Sequence, residues 1–336
     1  MPVETLKNTL VLKGIDMSRF KIGIAACPGL SRSIIENADY VELKKISAAE
    51  VSYYRGLTTK PLLFHMQFSG NNSFYMPTAD DLNSFLPEIS EAYKEARPEY
   101  SSFHFGLSSR TITVDPETNA AVAASELLSR DEIVKNLEKN LRLMRNALRD
   151  TVLLIENQEF IPDQLSRGAY RYISEADFFS SNVKRWNNLG ILDGIVFDVS
   201  HALVTAANHP YYNDPDDDHG DVSNYNSNIN LGDETYQDID ENKYDYLLTC
   251  FKRYIAEMPL ELIREIHISG VQRLLDGTLV DYHQEIGNLE LKGLKIILEN
   301  VHKSIEQYIP LTLEYSRDVS KIADQLNTLR EFCEKN

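Results

Sequence analysis

The sequence is poor in cysteine. Its three cysteines, Cys27, Cys250 and Cys333, stand far apart in 336 residues and form no C-x-x-C pair. That argues against a disulfide framework and against a cysteine-ligated structural zinc, and it fits a reducing compartment. Positive charge is also scarce. Lysine and arginine number 34 against 51 aspartates and glutamates, a formal net charge of −17. Non-specific binding to a nucleic acid backbone is disfavoured by that balance. No stretch reaches the ~18 apolar residues of a membrane span. The opening MPVETLKNTLVLKG has no apolar core behind a basic patch. The expectation is a cytoplasmic protein with neither membrane nor nucleic acid as partner. There is no G-x-S-x-G elbow and no P-loop. CPGLSRS, after the first β-prone run, is not the glycine-rich loop of a doubly wound nucleotide fold.

What is present is a repeated sentence. In Ile195–His209, IVFDVSHALVTAANH, an apolar run ends on Asp198 and is followed by His201. It reads as a buried strand whose last residue is a carboxylate, entering a loop with an imidazole. A buried charge needs a partner. Eight strand candidates occur, near residues 22, 41, 63, 103, 153, 196, 267 and 312. Helical spacing separates most of them. Asp131–Arg149 carries Ile133, Leu137, Leu141, Met144 and Leu148 on one stripe, with Ser129 or Asp131 as cap. Ser174–Ser181 starts another helix with Ser174 and Asp177 as a cap pair. Strands alternating with helices predict a parallel sheet, and eight such units predict a closed (β/α)₈ TIM-type barrel. With no linker in sight, residues 1–336 are expected to form a single domain. One stretch, about 211–243, is acidic and lacks apolar periodicity. It contains DPDDDHGD and reads as a solvated insertion loop on the catalytic face, either a lid or a spacer.

In such a barrel the C-terminal strand ends converge on the active site. Metal-capable residues lie at or just past six of the eight ends: His65, His104, Glu156, Asp198 with His201, His267 and Glu314. Asp281 and His283, spaced D-x-H, fall in the loop after the seventh strand. Each alone has a plain alternative. A single strand histidine is most often a hydrogen-bonded core residue, and a single glutamate pairs with an arginine. Together they aim nine nitrogen and oxygen ligands at one volume. A zinc takes about four ligands and an octahedral iron or manganese about six, so more than one ion fits the count better. Glu156, Asp198 and Glu314 are the candidate bridging carboxylates. Asn157 and Asn208 are candidate supporting residues, and His209 is left as supporting or structural. His219 and His302 fall outside the pattern.

The segments PLLFHMQFS, SSFHFGLS, LLIENQ, FDVSHALVTAANH, EIHISG, DYHQEIG and TLEYS resemble, in order and spacing, the multinuclear non-heme iron-dependent oxidative enzymes. That family was long known as a bacterial domain of unknown function, and its founding example makes the oxazolone and thioamide groups of methanobactin. The resemblance covers about residues 20–320. It implies a TIM-type barrel holding two or three irons as mixed Fe(II)/Fe(III), with O₂ as co-substrate. His65, His104, Glu156, Asp198, His267 and Glu314 match ligands of the central pair, and His201, Asp281 and His283 match the third site. The family usually has asparagine where this chain has His201. Phe103, Val271 and Ser316 stand where the family has glutamate, histidine and aspartate. The implied activity is oxidation of a ribosomally made precursor peptide, usually at a cysteine. A small peptide-recognition protein is a further implied partner. A different class is also compatible with the residues, a zinc- or manganese-dependent sugar isomerase or hydrolase barrel without redox chemistry. A peptide-binding barrel with a vestigial metal set is a third.

Overall fold

The computed structural model describes residues 20–66, 82–115, 121–213, 236–237, 244–301 and 308–335. Thirteen strands occur among them. They are β1 (Phe20–Ala25), β2 (Tyr40–Leu43), β3 (Leu62–Met66), β4 (Tyr100–His104), β5 (Ile112–Val114), β6 (Ala121–Ala123) and β7 (Val152–Glu156). The rest are β8 (Gly194–Asp198), β9 (Tyr236–Gln237), β10 (Ile263–Ile268), β11 (Gly270–Leu274), β12 (Leu279–Gln284) and β13 (Ile309–Leu313). Eight of them close into a barrel in the order β1-β13-β10-β8-β7-β4-β3-β2. Every neighbouring pair in the barrel is parallel. All eight strand candidates lie in it, and the TIM-type barrel is the fold.

Helices follow the strands: α1 (Arg32–Ile35), α2 (Ala48–Leu57), α3 (Leu86–Ala96), α4 (Arg130–Ala147), α5 (Asp163–Ser166), α6 (Ala176–Asn188), α7 (Val199–Asn208), α8 (Tyr244–Glu257), α9 (Asn288–Val301) and α10 (Ile322–Lys335). None is long and apolar enough to cross a membrane. The α4 stripe is buried as its spacing predicts, and Ser129 with Glu132 forms a reciprocal capping box at its start. The cap predicted for α6 is not there. Glu175 occupies the N-cap without a side-chain bond, and Ser174, one residue before it, donates its hydroxyl to the Tyr170 carbonyl.

Strand alternation sorts the barrel interior into layers. Tyr40, Leu63, Tyr100, Leu154 and Val196 form a small buried cluster of their own. Two residues further along the same strands stand Glu42, His65, Ser102, Glu156 and Asp198. The period of two therefore lifts a ring of polar side chains above an apolar floor. Room for that floor is made at Gly23, where an added Cβ would lie 2.1 Å from the Tyr40 ring. The Tyr40 hydroxyl meets Thr312 Oγ at 2.7 Å.

Two additions stand beside the barrel. β11 and β12 form an antiparallel ribbon, and β9 pairs with the other side of β11. Asp281 and His283 thus belong to a strand rather than the loop predicted for them. The turn between β11 and β12 holds Asp276 and Gly277, with Gly277 at φ +91°, a frequent hairpin dipeptide. Of the acidic insertion, residues 211–213 and β9 are described. The remainder lies outside the described residues, with Tyr225, its aspartates and His219. His302 lies outside them too.

Candidate metal centre

The polar ring holds the nine predicted residues in overlapping groups. His65, His104 and Glu156 form one, and Glu156, Asp198, His267 and Glu314 a second. Asp198, His201 and Asp281 form a third. Within each group the candidate ligand atoms lie within 4.8 Å of one another. Glu156 belongs to the first two groups and Asp198 to the last two. His283 completes the third, with Nε2 3.4 Å from Asp281 Oδ2 and 3.6 Å from Glu314 Oε2.

Three imidazoles are held so that one nitrogen is committed and the other faces the cluster. Ser102 Oγ donates to the Phe64 carbonyl (3.3 Å), so it accepts from His65 Nδ1 (2.9 Å). This leaves His65 Nε2 3.4 Å from Glu156 Oε2. His267 Nε2 donates to Glu42 Oε2 (3.0 Å) and its Nδ1 lies 3.0 Å from Glu156 Oε1. His201 Nδ1 donates to the Asn157 carbonyl (2.9 Å), and its Nε2 sits 3.4 Å from Asp281 Oδ2. Tying one ring nitrogen to a protein acceptor fixes the tautomer and the ring plane, which is how metal-ligating histidines are oriented. His104 Nε2 approaches the same Glu156 Oε2 at 2.9 Å.

Asp198 has two jobs. It is the N-cap of α7, and its Oδ1 accepts the His201 N–H at 2.6 Å. The predicted loop after this strand is therefore a helix whose first turn carries His201. Asp198 Oδ2 is buried and accepts no hydrogen bond from the described residues. A buried carboxylate oxygen left bare is costly unless a cation meets it. Asp281 Oδ2 is met by His201 Nε2 and His283 Nε2, each at 3.4 Å, longer than a good hydrogen bond. The donor set is acceptor-rich, buried and mixed imidazole and carboxylate, and it fits a divalent or trivalent transition metal.

The charges agree. Burial works to raise Glu156, yet His65, His104 and His267 together hold it well below the usual carboxylate range. Burial pushes Asp198 up to about 7 against the pull of His201. Burial also pushes His65 down to about 4, opposed by Glu156. Burial lowers His201 and His267 as well, but the surrounding carboxylates raise both well above the ordinary histidine range. A metal ion held by the same carboxylates would compete with protons on these two imidazoles.

The supporting residues separate by role. Asn157 bridges two strand ends, its amide donating to the Asp198 carbonyl (3.1 Å) and accepting from the Asp198 N–H (2.9 Å). Asn208 bonds both the N–H and the carbonyl of Leu279, at 2.9 and 2.7 Å, pinning the ribbon that carries Asp281 and His283. His209 packs edge-on against Phe160 and tilted against Tyr212, with centroids at 4.6 and 5.2 Å, and stands apart from the cluster. His283 adopts φ +48°, a costly backbone for a non-glycine residue.

Reading only strand ends misses Glu42, Lys44, Glu159 and Glu265. Glu42 is fully buried, groups with His65 and His267, and accepts from Thr312 at 3.0 Å. The two-residue step from Tyr40 in YVEL is the available signal. Glu265 stands beside it, pushed up to about 8 by burial and by Glu42. Lys44 Nζ is 2.6 Å from Glu314 Oε1. Glu159 accepts the Asp281 N–H at 3.3 Å, and burial pushes it up to about 7.

Asp198 is the one residue that the ribbon group shares with the others, with the His283–Glu314 contact beside it, so the third site is expected to be separable. His201→Ala is expected to lower metal content by about one equivalent of those bound and to spare the rest, as read by elemental analysis. Loss of all metal together would show a single indivisible centre.

No family profile matches the sequence, and no curated protein matches it. Solved structures match the fold. One is the 3-keto-D-glucoside 4-epimerase from E. coli, with TM-score 0.53 and 13% identity, covering 93% of this chain and 99% of that one. Another is endonuclease IV from Thermus thermophilus, with TM-score 0.52 and 15% identity over 94% and 100% of the two chains. A third is a xylose isomerase-like TIM barrel protein from Mycobacterium smegmatis in complex with magnesium, with TM-score 0.52 and 9% identity over 94% and 97%. At these identities the likeness is one of fold: the chain is a TIM barrel whose strand ends carry residues able to bind metal.

Proposed function

We propose that this chain is a multinuclear metal-dependent enzyme that uses iron and O₂ to oxidise a ribosomally made peptide, with cysteine as the target side chain. The observation supporting a multinuclear centre is the sharing of Glu156 between two groups of candidate ligands and of Asp198 between two. A carboxylate has two oxygens and can hold two adjacent ions. Iron, O₂ and the peptide are supported by the sequence resemblance alone. Iron, when bound, supplies one-electron redox chemistry and open coordination positions.

The chain's own residues do the rest. Ser102, Glu42 and the Asn157 carbonyl hold three imidazoles in register. The floor of Tyr40, Leu63, Tyr100, Leu154 and Val196 closes the barrel below the ring. His283, with 28% of its side chain exposed, is the most open of the ion-paired cluster histidines and marks where substrate enters. Phe103 and Val271 are buried and apolar and Ser316 is exposed, so none of the three departures adds a ligand to the ring.

A second reading is a sugar isomerase, epimerase or hydrolase that uses zinc or manganese without redox. The fold neighbours favour it, since they include an epimerase, an endonuclease and a magnesium-bound isomerase-like barrel. The net charge of −17 argues against the nuclease variant. Elemental analysis and an ultraviolet–visible spectrum of anaerobically purified protein separate the two. Iron in both oxidation states is the expected result. Stoichiometric zinc, manganese or magnesium without iron would replace the oxidase by the isomerase class, and a metal-free protein that takes up none would sink both.

A further inference from the structure

A cavity of about 700 Å³ lies beside the metal centre, and the ligand set does not use it. Its walls include Cys27, Pro28 and Gly29 from the turn after β1, and Lys44, Lys45 and Ser47 from the segment joining β2 to α2. β1 and β2 are neighbours in the barrel. Both wall segments follow C-terminal strand ends, so the cavity opens on the same end of the barrel as the metal ring. Its volume is that of a small-molecule subsite.

The walls are fixed before anything binds. The Tyr54 hydroxyl donates to the Cys27 carbonyl at 3.4 Å, tying α2 to the turn. Ser47 caps α2 by accepting the Glu50 N–H at 3.2 Å. Two consecutive lysines line this space in a chain of net charge −17. Glu50 is the one carboxylate among the lining residues; burial raises it and Lys45 pulls it the other way, and two lysines face this single acid. The N-terminal end of the ten-residue α2 adds partial positive charge in the same sense.

Lys44 connects cavity and centre. Its Nζ touches Glu314 Oε1 at 2.6 Å, while 18% of its side chain stays exposed and it lines the cavity. An ammonium group has three donors. Glu314 is its one ion-pair partner among the described residues, so donors remain for a ligand. Glu314 in turn points Oε2 at His267 and His283. An anion on Lys44 would therefore sit one carboxylate away from the candidate metals.

We propose that this cavity is a substrate subsite for an oxyanion, held by Lys44 and Lys45, which lays the rest of the substrate across the Glu314–His283 edge of the metal centre. The oxyanion is a carboxylate if the substrate is a peptide and a phosphate if it is a sugar ester. The inference rests on the metal-centre reading for where the substrate reacts, and not for whether the cavity binds an anion.

The test is titration of the isotope-labelled full chain, metal-free and metal-loaded, with N-acetylglycine, inorganic phosphate and the neutral N-acetylglycinamide, followed by NMR. Shifts confined to the wall segments around Cys27–Gly29 and Lys44–Glu50 are expected with at least one anion and absent with the amide. The preferred anion names the source. Loss of a charge-assisted bond predicts about tenfold weaker binding in Lys44→Met and partial recovery in Lys44→Arg. Ala49 lines the cavity away from the ligands. Ala49→Trp should fill it and abolish anion binding with metal content unchanged. Wild-type protein that binds neither anion, or equal affinity in wild type, Lys44→Met and Ala49→Trp, overturns the proposal. Elemental analysis of the same samples keeps the questions apart, since anion binding by a chain that takes up no metal would remove the metal reading and leave the subsite.

Discussion

A Glu156→Ala chain should fold and yet lose the metal held by the two groups that share Glu156. Glu156 sits at the hub of the ring, its two oxygens shared among His65, His104 and His267. Loss of a residue that merely supports a ligand already costs about 10–100-fold in metal affinity, and a carboxylate common to two groups must cost more. The barrel does not depend on this side chain, because β7 is held to β4 and β8 through the backbone. Circular dichroism should therefore report a normal fold while elemental analysis reports the loss. Glu156→Gln keeps the shape and removes the charge, so it should lose metal as well. Full metal content in a folded Glu156→Ala protein would mean that the centre lies elsewhere.

Gly270→Ala should be the most damaging single methyl on this face. Gly270 opens the ribbon at the point where the β11–β12 register shifts. A Cβ there would meet the Glu285 carbonyl oxygen at 2.2 Å and the Gln284 carbonyl at 2.8 Å. Those are backbone atoms and cannot rotate away, so the ribbon must move. The overpacking costs about 1–3 kcal/mol, which thermal unfolding reads as a lower midpoint. Ser269 Oγ donates to Asp281 Oδ1 at 2.6 Å from the adjacent position, so the displacement carries Asp281 and His283 away from His201. The variant should lose the metal of the third group and keep that of the other two. An unchanged midpoint together with unchanged metal content would show that the ribbon tolerates the methyl and does not position those ligands.

Much of this is written in the sequence in the form of period. Eight apolar runs, each closed by a turn signal or a polar residue, allow few arrangements other than a closed parallel barrel, and the same runs carry the polar ring. Glu42 escapes because it is enclosed in the short run YVEL and followed by Leu43, although it stands one residue before the end of β2 just as His65 does in β3. A step of two from Tyr40 finds it. The ribbon escapes because D-x-H reads as a ligand spacing, which hides the Asp276-Gly277 hairpin turn between two β-prone runs. His201 reads as a loop residue when Asp198 is taken as a metal ligand alone. An aspartate three residues before the residue whose N–H it accepts is also a helix cap, and here the same side chain can serve both. Lys44 has no sequence signal at all: its contact with Glu314 joins residues far apart in the chain and depends on barrel closure.

The outer side of β12 has a consequence for how a peptide can be received. A strand at the end of a sheet normally offers its main-chain groups to any extended chain that comes alongside. Here the offer is withdrawn. Asn208 takes the N–H and carbonyl of Leu279, Glu159 takes the N–H of Asp281, and the N–H of His283 turns back onto Asp281 Oδ1. Among the described residues, the N–H groups of Leu279, Asp281 and His283 and the Leu279 carbonyl are already taken, which leaves little for a ladder beside the third group. An extended chain brought to this rim would have to be held mainly through side-chain contacts rather than by strand pairing.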